Sequence, residues 1–371
     1  MRILISGGAG FIGSHTADLL LTQNHTVRIL DGLMPPVHAD GQLPGYVPQR
    51  DVEFVHGDIR NRECWERALQ GIDIVFHLAA YQDYLPDFST FYHTNTVPTA
   101  LLYEIIVEKR LPVQKVIVAS SQAVYGEGKY ICRQEGVCYP SWREESALKR
   151  GEWDIKCPQC GGSMDPVWTD ETVINPHSQY GISKYTQEMV ALNIGRRYGI
   201  PTVCMRYSIV QGPRQSFRNA YSGVLRIFTQ RLLTGKPPLC YEDGGQLRDY
   251  VSVFDAARAN VLVMYDARAD FQVFNVGGDR RLSVLEYAHL IARRAGVAIE
   301  PRIPGRYRFG DTRHIFSDVT KLKGLGWTPT VTLEEIVDGY IAWAQGQPGF
   351  RDYSVEAELR MSKLGTIRQV T

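Results

Sequence analysis

The stretch RILISGGAGFIGSHTADLLL, residues 2–21, constrains the fold more than any other part of the chain. A short apolar run breaks at clustered glycines, and Ile12, Leu19 and Leu20 then recur at helical spacing, so the segment predicts strand, tight turn and helix. Gly7, Gly10 and Gly13, with Phe11 and Ile12 between the last two, follow G-x-x-G-x-x-G. Missing side chains there let the backbone turn and approach a pyrophosphate resting on the helix N-terminus. The next strand, HTVRILDG, ends in Asp31, 18 residues beyond Gly13. A carboxylate at that place accepts hydrogen bonds from ribose hydroxyls and repels a 2′-phosphate, which favours NAD over NADP. A glycine-rich turn with no ligand is the simpler alternative, and Asp31 at this spacing argues against it.

Three further β-branched runs, VEFVHGDIR, DIVFHLAA and VQKVIVASS, alternate with helix-like stretches such as 61–70 and 95–109. Such alternation predicts an α/β fold with a doubly wound parallel sheet of the Rossmann type. Ligands bind at strand C-termini in these sheets. Asp58 and Ile59, then Leu78, Ala79 and Ala80, and Asn95 at the head of the next helix-like stretch are therefore the remaining candidate cofactor contacts.

QYGISKY places Tyr180 and Lys184 four residues apart, on one face of a helix and about one turn from each other. An ammonium in that position stabilises a phenolate, lowers the tyrosine pKa and makes Tyr180 a candidate general base. An exposed helix surface would give the same spacing. The strand ending in Ser120 and Ser121 and the glycine turn favour the chemical reading.

GGAGFIG, HLAA, SSQAVYG, YGISK, RYSIVQGPRQ and RDYVSVFD stand in this order over residues 1–345. The ensemble resembles the nucleotide-sugar epimerases and dehydratases, a branch of the extended short-chain dehydrogenase/reductases. The resemblance implies that Ser121 binds the reacting sugar hydroxyl, that Tyr180 removes its proton and that Lys184 holds the nicotinamide ribose. It implies a nucleotide-sugar substrate, tightly held NAD and a homodimer. Dehydratases of this kind resemble Thr-Asp-Glu where this chain has Ser121-Gln122-Ala123, so the carboxylates for removing water are missing. Asp31 disfavours a reductase fed by NADPH. Redox-neutral 4-epimerisation remains, on dTDP-L-rhamnose or a related NDP-hexose, with a UDP-hexose epimerase or another NDP-sugar dehydrogenase or reductase as alternatives.

The resemblance also implies substrate contacts at Gln122, Asn219, Tyr221, Arg248 and Arg313, the two arginines as clamps on the diphosphate. Ser208-Ile209 replaces the Phe-Asn usual in relatives, which removes one amide from that set. The expected division is a NAD-binding unit over 1–205, rejoined by 228–260, and a nucleotide-sugar-binding unit over 206–227 and 261–345. Residues 346–371 form a tail with no recognisable chemistry.

Between Tyr125 and Tyr180 stand 54 residues, more than most relatives use to join those elements. The surplus is an insertion over 128–170 with Cys132-x5-Cys138 and Cys157-x2-Cys160. KCPQCGG has the form of half a zinc ribbon, whereas the x5 half is unorthodox. A closed four-cysteine zinc site would be structural, supplying folding energy to a segment too polar to bury a core of its own. Reduced spectator thiols and a disulfide are the alternatives.

With 41 Lys+Arg against 40 Asp+Glu, the chain lacks the basic excess of nucleic-acid binders. The absence of a signal-like start or an apolar run of spanning length predicts no membrane partner and a cytoplasmic location. A non-enzyme reading, an NAD-sensing regulator that grips a partner through its zinc ribbon, must discard the Ser121, Tyr180 and Lys184 set.

Overall fold

The computed structural model describes residues 1–371 apart from Ala39, Gln49 and Tyr221. The chain opens with β1 (Arg2–Ser6), α1 (Phe11–Thr22), β2 (Thr26–Asp31), β3 (Val52–His56), α2 (Arg62–Ala68) and β4 (Ile74–His77). It continues through α3 (Phe88–Phe91), α4 (Val97–Glu108) and β5 (Lys115–Ser121). The insertion holds β6 (Lys129–Cys132), β7 (Gly136–Cys138), α5 (Glu145–Lys149) and β8 (Met164–Val167). After it come α6 (Gln179–Tyr198), β9 (Thr202–Tyr207), β10 (Ile209–Gln211), α7 (Val224–Leu233), β11 (Leu247–Ser252), α8 (Val253–Tyr265) and β12 (Gln272–Val276). The chain ends with β13 (Arg281–Ser283), α9 (Val284–Arg294), β14 (Arg306–Arg308), α10 (Thr320–Lys323), α11 (Leu333–Gln345), α12 (Ser354–Lys363) and β15 (Ile367–Gln369).

Seven parallel strands form the main sheet in the order β12-β9-β5-β4-β1-β2-β3. The first six residues of β5 are buried, as a strand covered by helices on both faces requires. One core packs Ile3, Ile5, Val27 and Phe274 with Ala256 of α8; the other packs Leu4, Val75 and Val116 with Trp65 of α2 and Leu102 of α4. Strand order reverses between β1 and β4, so a crevice opens beyond their C-terminal ends. α1 starts at Gly10 with no side-chain cap and no acidic residue in its first turn. Its N–H groups are left for an incoming anion.

A third core joins α7, α9 and α11 through Leu225, Phe228, Ile291, Val337 and Tyr340 beneath the small sheet β10-β11-β13. This corrects the expected division at two places. α7, most of which was assigned to the segment rejoining the first unit, packs into the third core because Leu225, Phe228 and Leu232 present one apolar face to α9. β12, assigned to the second unit, completes the main sheet beside β9, where Phe274 and Val276 are buried. The insertion forms its own antiparallel sheet, β7-β6-β8. The tail is not loose: β15 pairs antiparallel with β14. Among the described residues no helix is long and apolar enough to cross a membrane.

Candidate active site

The glycine turn lies against the chain leaving β4. Gly7 has φ 74°, and a Cβ there would stand 2.7 Å from the backbone of Ala79; one on Gly13 would stand 2.3 Å from the Gly7 carbonyl. Only glycine fits either place. Phe11 and Ile12 pack on the core side of the turn. Asp31, at the end of β2, accepts from the Ala9 N–H at 3.1 Å and the Leu33 N–H at 2.9 Å. Both bonds fix its carboxylate beside the turn and leave lone pairs free. Asp58 and Ile59 follow β3, and Leu78 to Ala80 follow β4, all around one crevice. Asp58 chelates the Arg60 guanidinium, whose hydrogen bonds hold its carboxyl below the usual range. These are the features an NAD-binding crevice needs: a bare backbone cradle, an uncapped helix start and an oriented carboxylate.

Asn95 stands just before α4. It is fully buried, and its amide bonds Tyr81 twice and the Ser183 hydroxyl at 3.0 Å, so it pins the loop after β4 to α6. Both amide N–H groups are used, and one Oδ1 lone pair is left.

Ser121 ends β5, and Tyr180 lies in the first turn of α6, whose start is capped by Ser178. The Ser121 hydroxyl is close enough to act on the Tyr180 phenol. They meet because Gly181 lets α6 rest on the turn after Ser121: a Cβ on Gly181 would stand 2.4 Å from the Ala123 carbonyl. Burial pushes the Tyr180 phenol up to about 12, against the opposing effect of Ser121. Lys184 lies one turn further along α6. Its ammonium donates to the Ala119 carbonyl at 2.8 Å and to Gln187 Oε1 at 2.9 Å, and burial brings it down to about 7.

Gln187 was not foreseen. It is one link in a buried chain from β1 to the lysine: Ser6 to His77 at 2.7 Å, His77 to Thr99 at 3.0 Å, and Gln187 to Thr99 at 2.9 Å. Burial holds the His77 imidazole at about 3, so it is neutral and fixed by its two hydroxyl partners. The histidine of HLAA was the available signal.

The substrate candidates separate. Gln122 is buried, with Ser317 as its partner at 3.4 Å. Asn219 keeps a buried Oδ1 with no hydrogen-bond partner, an acceptor available to a ligand. Tyr221 lies outside the described residues. Arg248 bonds the carbonyls of Leu247 and Arg313 at 2.8 and 2.9 Å. Arg313 meets Asp243 at 2.7 Å, Asp154 at 2.9 Å and Glu242 at 3.1 Å through its guanidinium. Three carboxylates neutralise it, so it ties the insertion to the 242–243 loop. A further arginine near the loop after β4 is Arg308, stacked 4.6 Å from the Tyr84 ring centre and 3.1 Å from Asp311. The Asp311 carboxylate and burial push the phenol of Tyr84, in the loop after β4, up to about 12, against the opposing charge of Arg308 and Arg248. Its signal was an arginine between two aromatic residues, Tyr307 and Phe309.

In the insertion, the ligand atoms of Cys132, Cys157 and Cys160 all lie within 4.8 Å of one another. Cys132 Sγ is 3.5 Å from Cys160 Sγ, and Cys138 Sγ is 4.0 Å from Cys157 Sγ. A tetrahedron with metal–sulfur bonds near 2.3 Å has sulfur–sulfur edges of about 3.8 Å. All seven cysteines are free, and these separations are far beyond a disulfide bond.

The sequence matches the NAD dependent epimerase/dehydratase family over residues 3–145 and 160–277. The chain belongs to that family. It is 32% identical over 348 residues to dTDP-L-rhamnose 4-epimerase of Burkholderia thailandensis, covering 92% of this chain and 94% of that one. It superposes with a TM-score of 0.75 on the crystal structure of UDP-glucose 4-epimerase with UDP-glucose from Thermotoga maritima, at 32% identity, covering 93% and 99% of the two chains. The Thermus thermophilus UDP-glucose 4-epimerase complexed with NAD gives a TM-score of 0.73 at 29% identity, over 94% and 100%. These relatives are enzymes of one chemistry, and this family member is an enzyme.

Proposed function

We propose that the protein is an NAD-dependent nucleotide-sugar 4-epimerase acting through a 4-keto sugar, with dTDP-L-rhamnose or a closely related NDP-hexose as substrate. The observation that carries this reading is the meeting of Ser121 and Tyr180 at the end of β5 with no acidic residue at 122 or 123. The carboxylates that dehydrating or decarboxylating relatives would use at 122 and 123 are absent. Ser121 holds the C4 oxygen and Tyr180 takes its proton. Lys184 has three donors, of which two are used, and the third goes to a ribose hydroxyl. Gly7, Gly10 and Gly13 cradle the pyrophosphate and Asp31 takes the adenosine ribose. Bound NAD would accept the C4 hydride and return it to the opposite face of the sugar.

UDP-hexose is the second reading, favoured by the 32% identity to the Thermotoga enzyme. A panel of dTDP- and UDP-hexoses followed by NMR in deuterated water separates the two. The expected product is inverted at C4 and carries no deuterium there, because the hydride never reaches solvent. Deuterium at the inverted carbon, or no epimerised product from any of these sugars, overturns the reading.

Cys132, Cys138, Cys157 and Cys160 form a structural zinc site in this reading, supported by the close group of Cys132, Cys157 and Cys160, with Cys138 4.0 Å from Cys157 but outside that group. Metal analysis should find close to one zinc per chain. A cytoplasmic homodimer fits the free thiols and the exposed Val97 and Met189 on the packed pair α4 and α6. Its mass in solution tests the dimer.

A further inference from the structure

The insertion does more than cross from β5 to α6. Trp142 is 52% exposed, yet its ring is held in place, stacked on the His177 imidazole at 5.4 Å between centres and 17° between planes. His177 stands three residues before Tyr180 and touches the turn that follows Ser121: a Cβ on Gly126 would lie 2.9 Å from His177 Nδ1. On its other side Trp142 borders Gly310, two residues beyond Arg308. Thr312 closes the gap with a hydrogen bond to the Gly126 carbonyl at 3.2 Å. The indole therefore bridges the segment leading into Tyr180 and the segment that follows Arg308.

Its neighbour Arg143 anchors it from below. The Arg143 side chain is 5% exposed and bonds Glu242 at 2.8 Å, with Glu127 at 3.5 Å and the Asp311 carbonyl also in contact. Asn175, two residues before His177, bonds the Pro140 carbonyl at 3.1 Å and so joins the same two segments again. Such fixing is more than a solvated tryptophan needs. It is what a preorganised binding wall needs.

We propose that Trp142, backed by His177, is the wall against which the hexosyl ring of the substrate rests, making the insertion a determinant of sugar specificity. The proposal rests on the nucleotide-sugar reading above. A nucleotide sugar held by its diphosphate at the arginine pair, Arg248 and Arg308, and by its C4 oxygen at the hydroxyl pair, Ser121 and Tyr180, must lay its pyranose between them. The apolar C–H face of a pyranose suits the negatively charged face of an indole. The nucleotide lies on the far side of the diphosphate and does not reach Trp142.

The test compares wild type, Trp142→Ala and Trp142→Phe with whichever nucleotide sugar the wild type epimerises, and with the matching nucleoside diphosphate alone. Trp142→Ala should raise KM by roughly tenfold or more while kcat falls less than about threefold, the pattern of lost binding to the ring. Affinity for the nucleoside diphosphate should stay within about twofold, and Trp142→Phe should recover most of the loss. An unchanged KM in Trp142→Ala overturns the wall. So does equal weakening of nucleotide sugar and nucleoside diphosphate, which would mark a merely structural residue. A wild-type protein that binds NAD but epimerises no nucleotide sugar overturns the function itself, an outcome seen before any variant is made.

Discussion

Tyr180 and Lys184 each carry a proton whose position the fold has shifted against its usual tendency. The phenol is pushed up to about 12 and the ammonium down to about 7, both by burial, so each is biased toward its neutral form. Tyr180→Phe removes the hydroxyl proposed to take the C4 proton. Activity should fall by about 10²–10⁴-fold with fold and NAD binding intact, as loss of a positioned acid/base does. Wild-type turnover in this variant would show that another group moves the proton. Gln187 acts on Lys184 as a positioning residue, since it accepts from the ammonium and donates to Thr99. Gln187→Leu removes that acceptor from the charged form, so the alkaline limb of the pH–rate profile should move to lower pH. An unmoved limb with lowered stability would mean that Gln187 only packs α6. At this scale the chemical pair was legible, because four residues in a helix fix two side chains on one face. The direction of the ammonium was not, because Ala119 and Gln187 reach it only through packing of α6 on β5.

Among elements, the insertion and the tail are held by contacts distant in sequence. The insertion's own small core is Cys132, Cys138 and Cys157, so in the zinc reading the ion would supply part of its order. Cys157→Ser with Cys160→Ser should release zinc, disorder much of 130–170 and leave the main sheet folded. KM should rise more than kcat falls, because the wall is lost and the hydroxyl pair is not. Freshly purified wild type without zinc, or a double variant with unchanged KM, would separate the clip from the site. β15 lies against β14, next to Arg308, while Arg368 pairs with Glu145 at 2.7 Å and Thr371 donates to the Lys149 carbonyl at 3.0 Å. The tail thus fastens the insertion to the strand carrying Arg308. Deleting 364–371 should raise KM for the nucleotide sugar by roughly tenfold, about 1.4 kcal/mol, with NAD affinity unchanged. Weakened NAD binding would instead indicate damage to the first unit. A three-residue strand such as Ile367–Gln369 has too little pattern to be read from sequence.

At the scale of the whole molecule, Glu127 marks where the sheet unit, the insertion and the second unit meet. It accepts from the Arg313 N–H at 2.7 Å and faces Arg143 at 3.5 Å, and burial raises its carboxyl to about 7. The unfolded chain releases this proton near pH 4.5, whereas the fold keeps it to about 7. Stability from this group is therefore complete below about 4.5 and is lost as pH rises through about 7. Glu127→Gln keeps the acceptor and abolishes the titration. The urea midpoint of the wild type should fall relative to this variant between pH 5 and pH 8; a constant difference would place the carboxylate in contact with water.

The sequence by itself determined the dinucleotide unit: β1, the glycine turn, α1 and Asp31 are specified by backbone sterics and short-range spacing, which need no distant partner. It also determined the chemistry open to the site, since the missing carboxylates at Gln122 and Ala123 are visible in three consecutive letters. Only the tertiary structure decided the partners of each arginine. Arg248, Arg308 and Arg313 are alike as letters, and Arg313 meets Asp154, 159 residues away along the chain. The same holds for β12, α7 and Trp142. Their roles depend on which surface each meets after the sheet has formed, and burial, neutralisation and stacking between segments far apart in sequence leave no local pattern to read.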